Sequence, residues 1–334
     1  MINSGLSEIK QVALEIYGGC NYKCTMCPQD EGRHRDFLKK LPFEIFEKII
    51  VDAANHGCTA VSLHGSGEAT LHPEIGKFIR LVKKFGMKCV TVSNGYMLDE
   101  SLSKEIIDAG LDYIRISGIG YDRDSYMSWM KKDAFELVRN NVKKLEEMRL
   151  KANSNLKVGL YHLILNPLNK DEEINLYREN WINFCGNIEA EIWQMHNWAG
   201  TYNEIPFPRS PSKRRSCGRP NAPYLNVRAG GLNGQLASVV PCCFVLGRDE
   251  QAVLGNLETQ TIQQVLNGDL YKNLKQNHDK KEFDKIDYCK NCDQLYDSPE
   301  SLVWTNITGK QYGQSKILKD LDYREFATSS EILI

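Results

Sequence analysis

The chain has 334 residues, of which 42% are hydrophobic and 25% charged, with 42 basic and 43 acidic side chains and a formal net charge of -1. That length supplies about two domains' worth of core. The composition excludes a disordered chain, a collagen-like fibre and a disulfide-stapled miniprotein, and the near-neutral charge argues against general binding to nucleic acid or to acidic membranes.

In chain order, apolar strand-like runs are expected at 12–17, 60–64, 89–93, 113–117, 158–165 and 188–194. Amphipathic helical patterns lie between them at about 43–55, 73–85, 100–109, 134–148 and 171–184. Strand, helix, strand at this spacing predicts a parallel sheet with right-handed crossovers, either an open sheet or a partial barrel. The pattern changes near residue 200. Residues 203–220 are rich in Pro, Ser and Arg and read as a linker. Two short strand-like runs at 224–228 and 235–240 flank Gly230-Gly231-Leu232-Asn233-Gly234, where Asn-Gly predicts a hairpin. A helix is expected at about 262–276, and the tail from Tyr296 carries no legible pattern. No apolar run reaches the roughly 18 residues of a membrane span, and residues 1–11 lack a signal-peptide core. The expected location is the cytoplasm.

Eleven cysteines are many for that compartment, where clustered thiols bind metal or do redox chemistry more often than they form disulfides. Cys20, Cys24 and Cys27 form C-x3-C-x2-C directly after the first strand. Chance supplies about 0.01 such matches in a chain of this composition. Thiolates suit zinc or iron–sulfur clusters. Three ligands leave one metal position open, which is what chemistry needs. A second set comprises Cys217, the adjacent pair Cys242 and Cys243, and Cys289-x2-Cys292. Four thiolates from it make a closed site, a zinc ribbon as readily as an iron–sulfur cluster. Cys58, Cys89 and Cys185 lie in apolar settings and read as ordinary buried thiols.

These motifs resemble the radical S-adenosylmethionine (SAM) superfamily with a C-terminal SPASM or twitch auxiliary domain. The resemblance implies an α/β fold: a partial (β/α)6 TIM-like barrel over 1–200, a smaller auxiliary domain with a β-hairpin and helix over 201–295, and a tail of unknown role over 296–334. It implies that Cys20, Cys24 and Cys27 hold a [4Fe–4S] cluster whose open iron is chelated by SAM. The segment 63–73 resembles the family's Gly-Gly-Glu-Pro element, with Gly65, Gly67 and Glu68 toward SAM and Ala69 where Pro is usual. Ser93 and Asn94, Ser117 and Asn166 end successive strands and match polar SAM-facing positions. Met26, next to the third cysteine, matches an adenine contact. In the C-terminal set, Cys217, Cys242, Cys289 and Cys292 are the implied ligands of one auxiliary [4Fe–4S] cluster, Cys242 being favoured over Cys243 because it follows Pro241.

A fully ligated auxiliary cluster is better suited to moving an electron than to binding substrate. The expected reaction is therefore hydrogen abstraction followed by loss of one electron: oxidation of an alcohol carbon on a small polar molecule, such as a sugar or aminocyclitol. Only 19 residues precede Cys20, which is short for a peptide-recognition domain. Peptide or protein side-chain modification is the alternative within enzymes, and a non-catalytic electron-transfer module the alternative outside them. A flavodoxin- or ferredoxin-like reductant is the expected partner, with no nucleic acid and no membrane. Strand alternation makes Arg115 share a face with Ser117, and His162 with Asn166. Arg115 is the candidate for orienting substrate and His162 the candidate proton acceptor.

Overall fold

Six parallel strands carry the fold: β1 (Gln11–Leu14), β2 (Ala60–Ser62), β3 (Lys88–Ser93), β4 (Tyr113–Ser117), β5 (Lys157–Ile164) and β6 (Glu189–Gln194). They lie side by side in chain order, from β1 to β6. The computed structural model describes residues 9–27, 39–202, 214–246, 250–296, 301–308 and 313–314. Most of the expected linker and most of the tail lie outside them. The crossovers hold α1 (Phe43–Asn55), α2 (Ile75–Lys84), α3 (Glu100–Asp108), α4 (Arg123–Met130), α5 (Phe135–Lys151) and α6 (Lys170–Tyr177). This is the predicted α/β, partial (β/α)6 architecture. Helix α4 is additional to the expected elements and starts at a capping box formed by Asp122 and Ser125.

Register fixes which side chains face the barrel interior. Ser117 pairs with Tyr161 and Tyr161 with Glu191, so these three share one face. Arg115, on the same face of β4, pairs with Gly159. The opposite face is mainly apolar: Val12, Leu14, Val61, Leu63, Ile114, Ile116, Leu160 and Ile192 are buried with helix residues such as Phe46, Phe78, Val138, Leu145 and Trp181. Each large side chain buried there contributes roughly 1.5–3 kcal/mol by leaving water.

The sheet does not close on itself. Beyond β1 it continues into β7 (Tyr224–Arg228, parallel to β1), β8 (Ser238–Val240) and β9 (Gly255–Asn256). The expected hairpin is therefore β7–β8, and it extends the barrel sheet. Helices α7 (Ile262–Leu266) and α8 (Asp269–Asp279) follow, dividing the expected 262–276 helix at Gly268. Part of the tail also joins the fold. Strand β10 (Ser301–Thr305) pairs antiparallel with β6, and β11 (Gly313–Gln314) pairs with β10. No described helix is long and apolar enough to cross a membrane.

Candidate active site and cofactor loops

The loop carrying Cys20, Cys24 and Cys27 leaves β1 and lies at the C-terminal ends of the strands. It is anchored on the chain around α4. Thr25 N–H donates to the Trp129 carbonyl (2.8 Å) and Lys132 Nζ to the Asn21 carbonyl (3.0 Å). The Tyr22 and Tyr126 hydroxyls meet at 2.8 Å, and Cys24 Sγ lies 3.6 Å from Met130 Sδ. Lys132 also sits over the Tyr96 ring at 3.9 Å. Met26 is buried in the core at the foot of this loop.

The glycine-rich segment is pressed against the same loop. A Cβ on Gly67 would collide with the Tyr17 carbonyl and with the backbone of Gly18 and Gly19, and one on Gly65 would collide with the Glu15 side chain. Glu68 N–H donates to the Gly19 carbonyl at 2.8 Å. Only a residue without a side chain allows this approach. The segment thereby places Glu68 beside Cys20.

Glu68 is buried and strongly hydrogen-bonded. Oε1 accepts from Thr70 N–H (3.1 Å), Thr70 Oγ1 (2.5 Å) and Ser93 Oγ (2.8 Å), and Oε2 accepts from Asn94 N–H (2.7 Å). Burial pushes its carboxyl pKa up, and these bonds pull it back. Asn94 Nδ2 donates to Asn21 Oδ1 (2.8 Å) and lies 3.9 Å from Cys20 Sγ. The Cys20 thiol also feels the charges of Glu68 and Cys27. Cys20, Cys27, Glu68, Ser93 and Asn94 therefore lie together. Two thiols beside a buried carboxylate, with Cys24 on the same loop, fit a cluster with an open iron and an amine-bearing ligand.

Ser117 lies on the interior face beside Tyr161. Asn166 is used locally: its Oδ1 accepts from Leu168 N–H at 3.0 Å and caps a short 3-10 turn.

Arg115 fits its expected place, with its guanidinium over the Tyr161 ring at 4.4 Å. His162 does not. Strand β5 ends at Ile164, so alternation does not extend to Asn166, and His162 faces the helices. There it is fully buried, stacked on Tyr177 at 4.4 Å, with Nε2 2.8 Å from Glu173 Oε1 and Nδ1 accepting from Gly120 N–H at 3.2 Å. The expectation that His162 takes a proton from substrate is corrected: it is a core histidine.

The C-terminal thiols also come together. The charge of Cys217 acts on Cys242, Cys289 and Cys292, and Cys242 acts on both Cys289 and Cys292. Burial and this mutual repulsion push the Cys289 and Cys292 thiols well up. Cys243 neighbours Cys242, and its carbonyl accepts from Arg228 Nη2 at 2.8 Å. Among the described residues, no group of three His, Cys, Asp or Glu side chains is set to hold a single metal ion. Four thiols brought together in this way are a soft donor set of the kind an iron–sulfur cluster takes. Cys58, Cys89 and Cys185 are buried away from both sets, as expected.

Several residues of the site carry no local sequence signal. Glu15 and Arg228 form a buried ion pair at 3.6 Å. Glu15 Oε2 accepts from Ser66 N–H (2.6 Å) in the glycine-rich segment, and Oε1 accepts from Ala229 N–H (3.1 Å). Arg228 Nη2 donates to the carbonyls of Cys243 and Val245, both at 2.8 Å. The pair ties the two cofactor loops together. On the interior face, His64 hydrogen-bonds Ser62 Oγ through Nδ1. Its pKa is lowered to about 3 by burial and by the charges of Arg115 and Arg228. Glu191 accepts from Trp193 Nε1 at 2.9 Å.

A family model described as the Radical SAM superfamily matches residues 14–178. A second, described as an iron-sulfur cluster-binding domain, matches residues 234–293. The chain is 31% identical over 167 residues to the GTP 3',8-cyclase of Chlorobaculum tepidum, covering 49% of this chain and 48% of that protein. It is 30% identical over 110 residues to the tungsten-containing aldehyde ferredoxin oxidoreductase cofactor-modifying protein of Pyrococcus furiosus, covering 33% of this chain and 30% of that protein. The matches thus span about half the length of the first relative and less of the second. Among solved structures, BtrN in complex with AdoMet and 2-DOIA superposes with a TM-score of 0.56 at 15% identity, over 85% of this chain and 92% of that one. Streptococcus suis SuiB bound to the precursor peptide SuiA gives 0.61 at 14% identity, over 86% and 70%. These two likenesses are of fold.

Proposed function

Because this chain belongs to the radical SAM superfamily and carries a C-terminal iron–sulfur cluster-binding domain of the SPASM type, we propose that it oxidises an alcohol carbon of a small polar molecule by two electrons. Its cofactors are SAM, a [4Fe–4S] cluster and auxiliary iron–sulfur. When bound, they would supply a 5′-deoxyadenosyl radical and an electron acceptor. Cys20, Cys24 and Cys27 hold the first cluster, with Glu68, Ser93 and Asn94 toward SAM. Cys217, Cys242, Cys289 and Cys292 hold the second.

The gathering of four thiols in the C-terminal part carries this reading, because a fully ligated cluster is suited to accepting an electron. The substrate gives up a hydrogen atom, a proton and an electron, and its C–OH becomes C=O. The interior face carries Arg115, Ser117, Tyr161 and Glu191, which suits a hydroxylated substrate. Arg115 is placed to orient it. With His162 in the core, Glu191 is the interior carboxylate level with Ser117 and Tyr161, and it takes the hydroxyl proton. The enzyme works in the cytoplasm with a flavodoxin- or ferredoxin-like donor.

The test is product analysis after anaerobic turnover with a panel of sugars and aminocyclitols. One carbonyl product per 5′-deoxyadenosine is expected. A rearranged or decarboxylated product would sink the oxidation reading. A second reading, modification of a peptide side chain, is supported by the fold shared with peptide-bound SuiB. Turnover on a peptide with no turnover on small polyols would favour it.

A further inference from the structure

His278, on α8, is 1% exposed and takes no part in the reaction described above. Its Nε2 lies 3.6 Å from Cys289 Sγ, and its Nδ1 lies 3.0 Å from Ser216 Oγ. Ser216 Oγ in turn accepts from Gly218 N–H at 3.2 Å. Ser216 and Gly218 flank Cys217. The ring also packs edge-on against Phe283, 5.3 Å between centroids. One imidazole therefore connects the segments bearing two of the four proposed cluster ligands.

We infer that His278 is a positioning residue that tunes the auxiliary cluster, donating its Nε2–H to the Cys289 sulfur; this rests on the ligand set proposed above. The direction follows from the donors available. A metal-bound thiolate has no proton to give, so Nε2 must be the donor in that contact. In a neutral imidazole Nδ1 is then the acceptor, and the Ser216 hydroxyl supplies its proton. Gly218 N–H occupies a lone pair of the same hydroxyl, so the donors run in one direction: Gly218 to Ser216 to His278 to Cys289. Outer-shell bonds of this kind fix a tautomer and tune a metal centre. A donor to a cluster sulfur stabilises the more negative, reduced form and raises the reduction potential.

The test is an EPR-monitored redox titration of the auxiliary cluster in full-length protein. The Cys20→Ala/Cys24→Ala/Cys27→Ala background leaves that cluster as the one observed. His278→Phe keeps the ring's volume and removes the donor. At fixed potential its reduced-to-oxidised ratio should fall about tenfold, equivalent to a shift of about 59 mV for one electron. Ser216→Ala leaves the ring but releases its tautomer, and should give a smaller shift of the same sign. An unchanged potential in His278→Phe with the iron retained overturns the inference alone. If His278→Phe cannot hold the cluster, Ser216→Ala decides: an unmoved potential there overturns the inference equally. Absence of any C-terminal cluster from the background protein overturns the ligand reading beneath it.

Discussion

At the scale of single residues, close approach and burial decide which side chains are replaceable. Gly67 meets backbone on the Tyr17–Gly19 side, and backbone cannot rotate away as a side chain can. Gly67→Ala should cost about 1–3 kcal/mol and lower the iron held by the Cys20 loop, read by thermal unfolding and iron assay. His162 is different. His162→Phe keeps the stack on Tyr177 and leaves Glu173 without its Nε2 partner, for about 1–3 kcal/mol. Activity per folded molecule should persist, whereas loss of turnover in a stably folded variant would restore a catalytic role. Arg115→Ala should raise KM more than tenfold and leave substrate-free formation of 5′-deoxyadenosine intact; unchanged KM would remove its orienting role. The cysteines were legible from their spacing and the face of Arg115 from strand parity, whereas Glu68 was marked by the resemblance of segment 63–73 to the family's Gly-Gly-Glu-Pro element. His162 was misplaced because alternation was carried past Ile164, where the strand has already ended.

At the scale of elements, strand order follows local pattern, but the joins beyond it do not. The six parallel strands and all their crossover helices except α4 follow from apolar periodicity. The pairing of β7 with β1 joins residues more than two hundred positions apart, and no local signal encodes it. The same holds for β10 on β6, a five-residue strand from an otherwise unreadable tail. The Glu15–Arg228 pair belongs to these long-range joins, since it sits where β1 meets β7 and fixes the glycine-rich segment against the Cys243–Val245 carbonyls. Breaking a buried pair from one side costs about 3–5 kcal/mol, while replacing both partners is often much milder. Glu15→Gln and Arg228→Met should each destabilise strongly, and the double variant should lose less than the sum of the two. Strict additivity in urea unfolding would show that the residues act separately.

At the scale of the whole molecule, one continuous sheet carries both cofactor loops, so the two halves should unfold together. Acid should weaken that fold. Burial lowers the pKa of His278 to about 4, and burial with neighbouring arginines lowers that of His64 to about 3. Both are neutral when folded at pH 5, whereas in the unfolded chain they protonate below about 6.5. Stability of the cluster-free protein should therefore be full above that pH and be lost progressively as pH falls toward 4 and 3. Urea midpoints at pH 7.5 and pH 5 check the sign, and equal or higher stability at pH 5 would contradict it. The central claim is one SAM-type cluster and one auxiliary cluster on a single chain. The most direct measurement is iron and labile sulfide per chain after anaerobic reconstitution, in wild type and in Cys20→Ala/Cys24→Ala/Cys27→Ala. Two cubanes predict about eight iron falling to about four. About four in wild type and almost none in the variant would contradict it, and the electron acceptor required for the proposed oxidation would be gone.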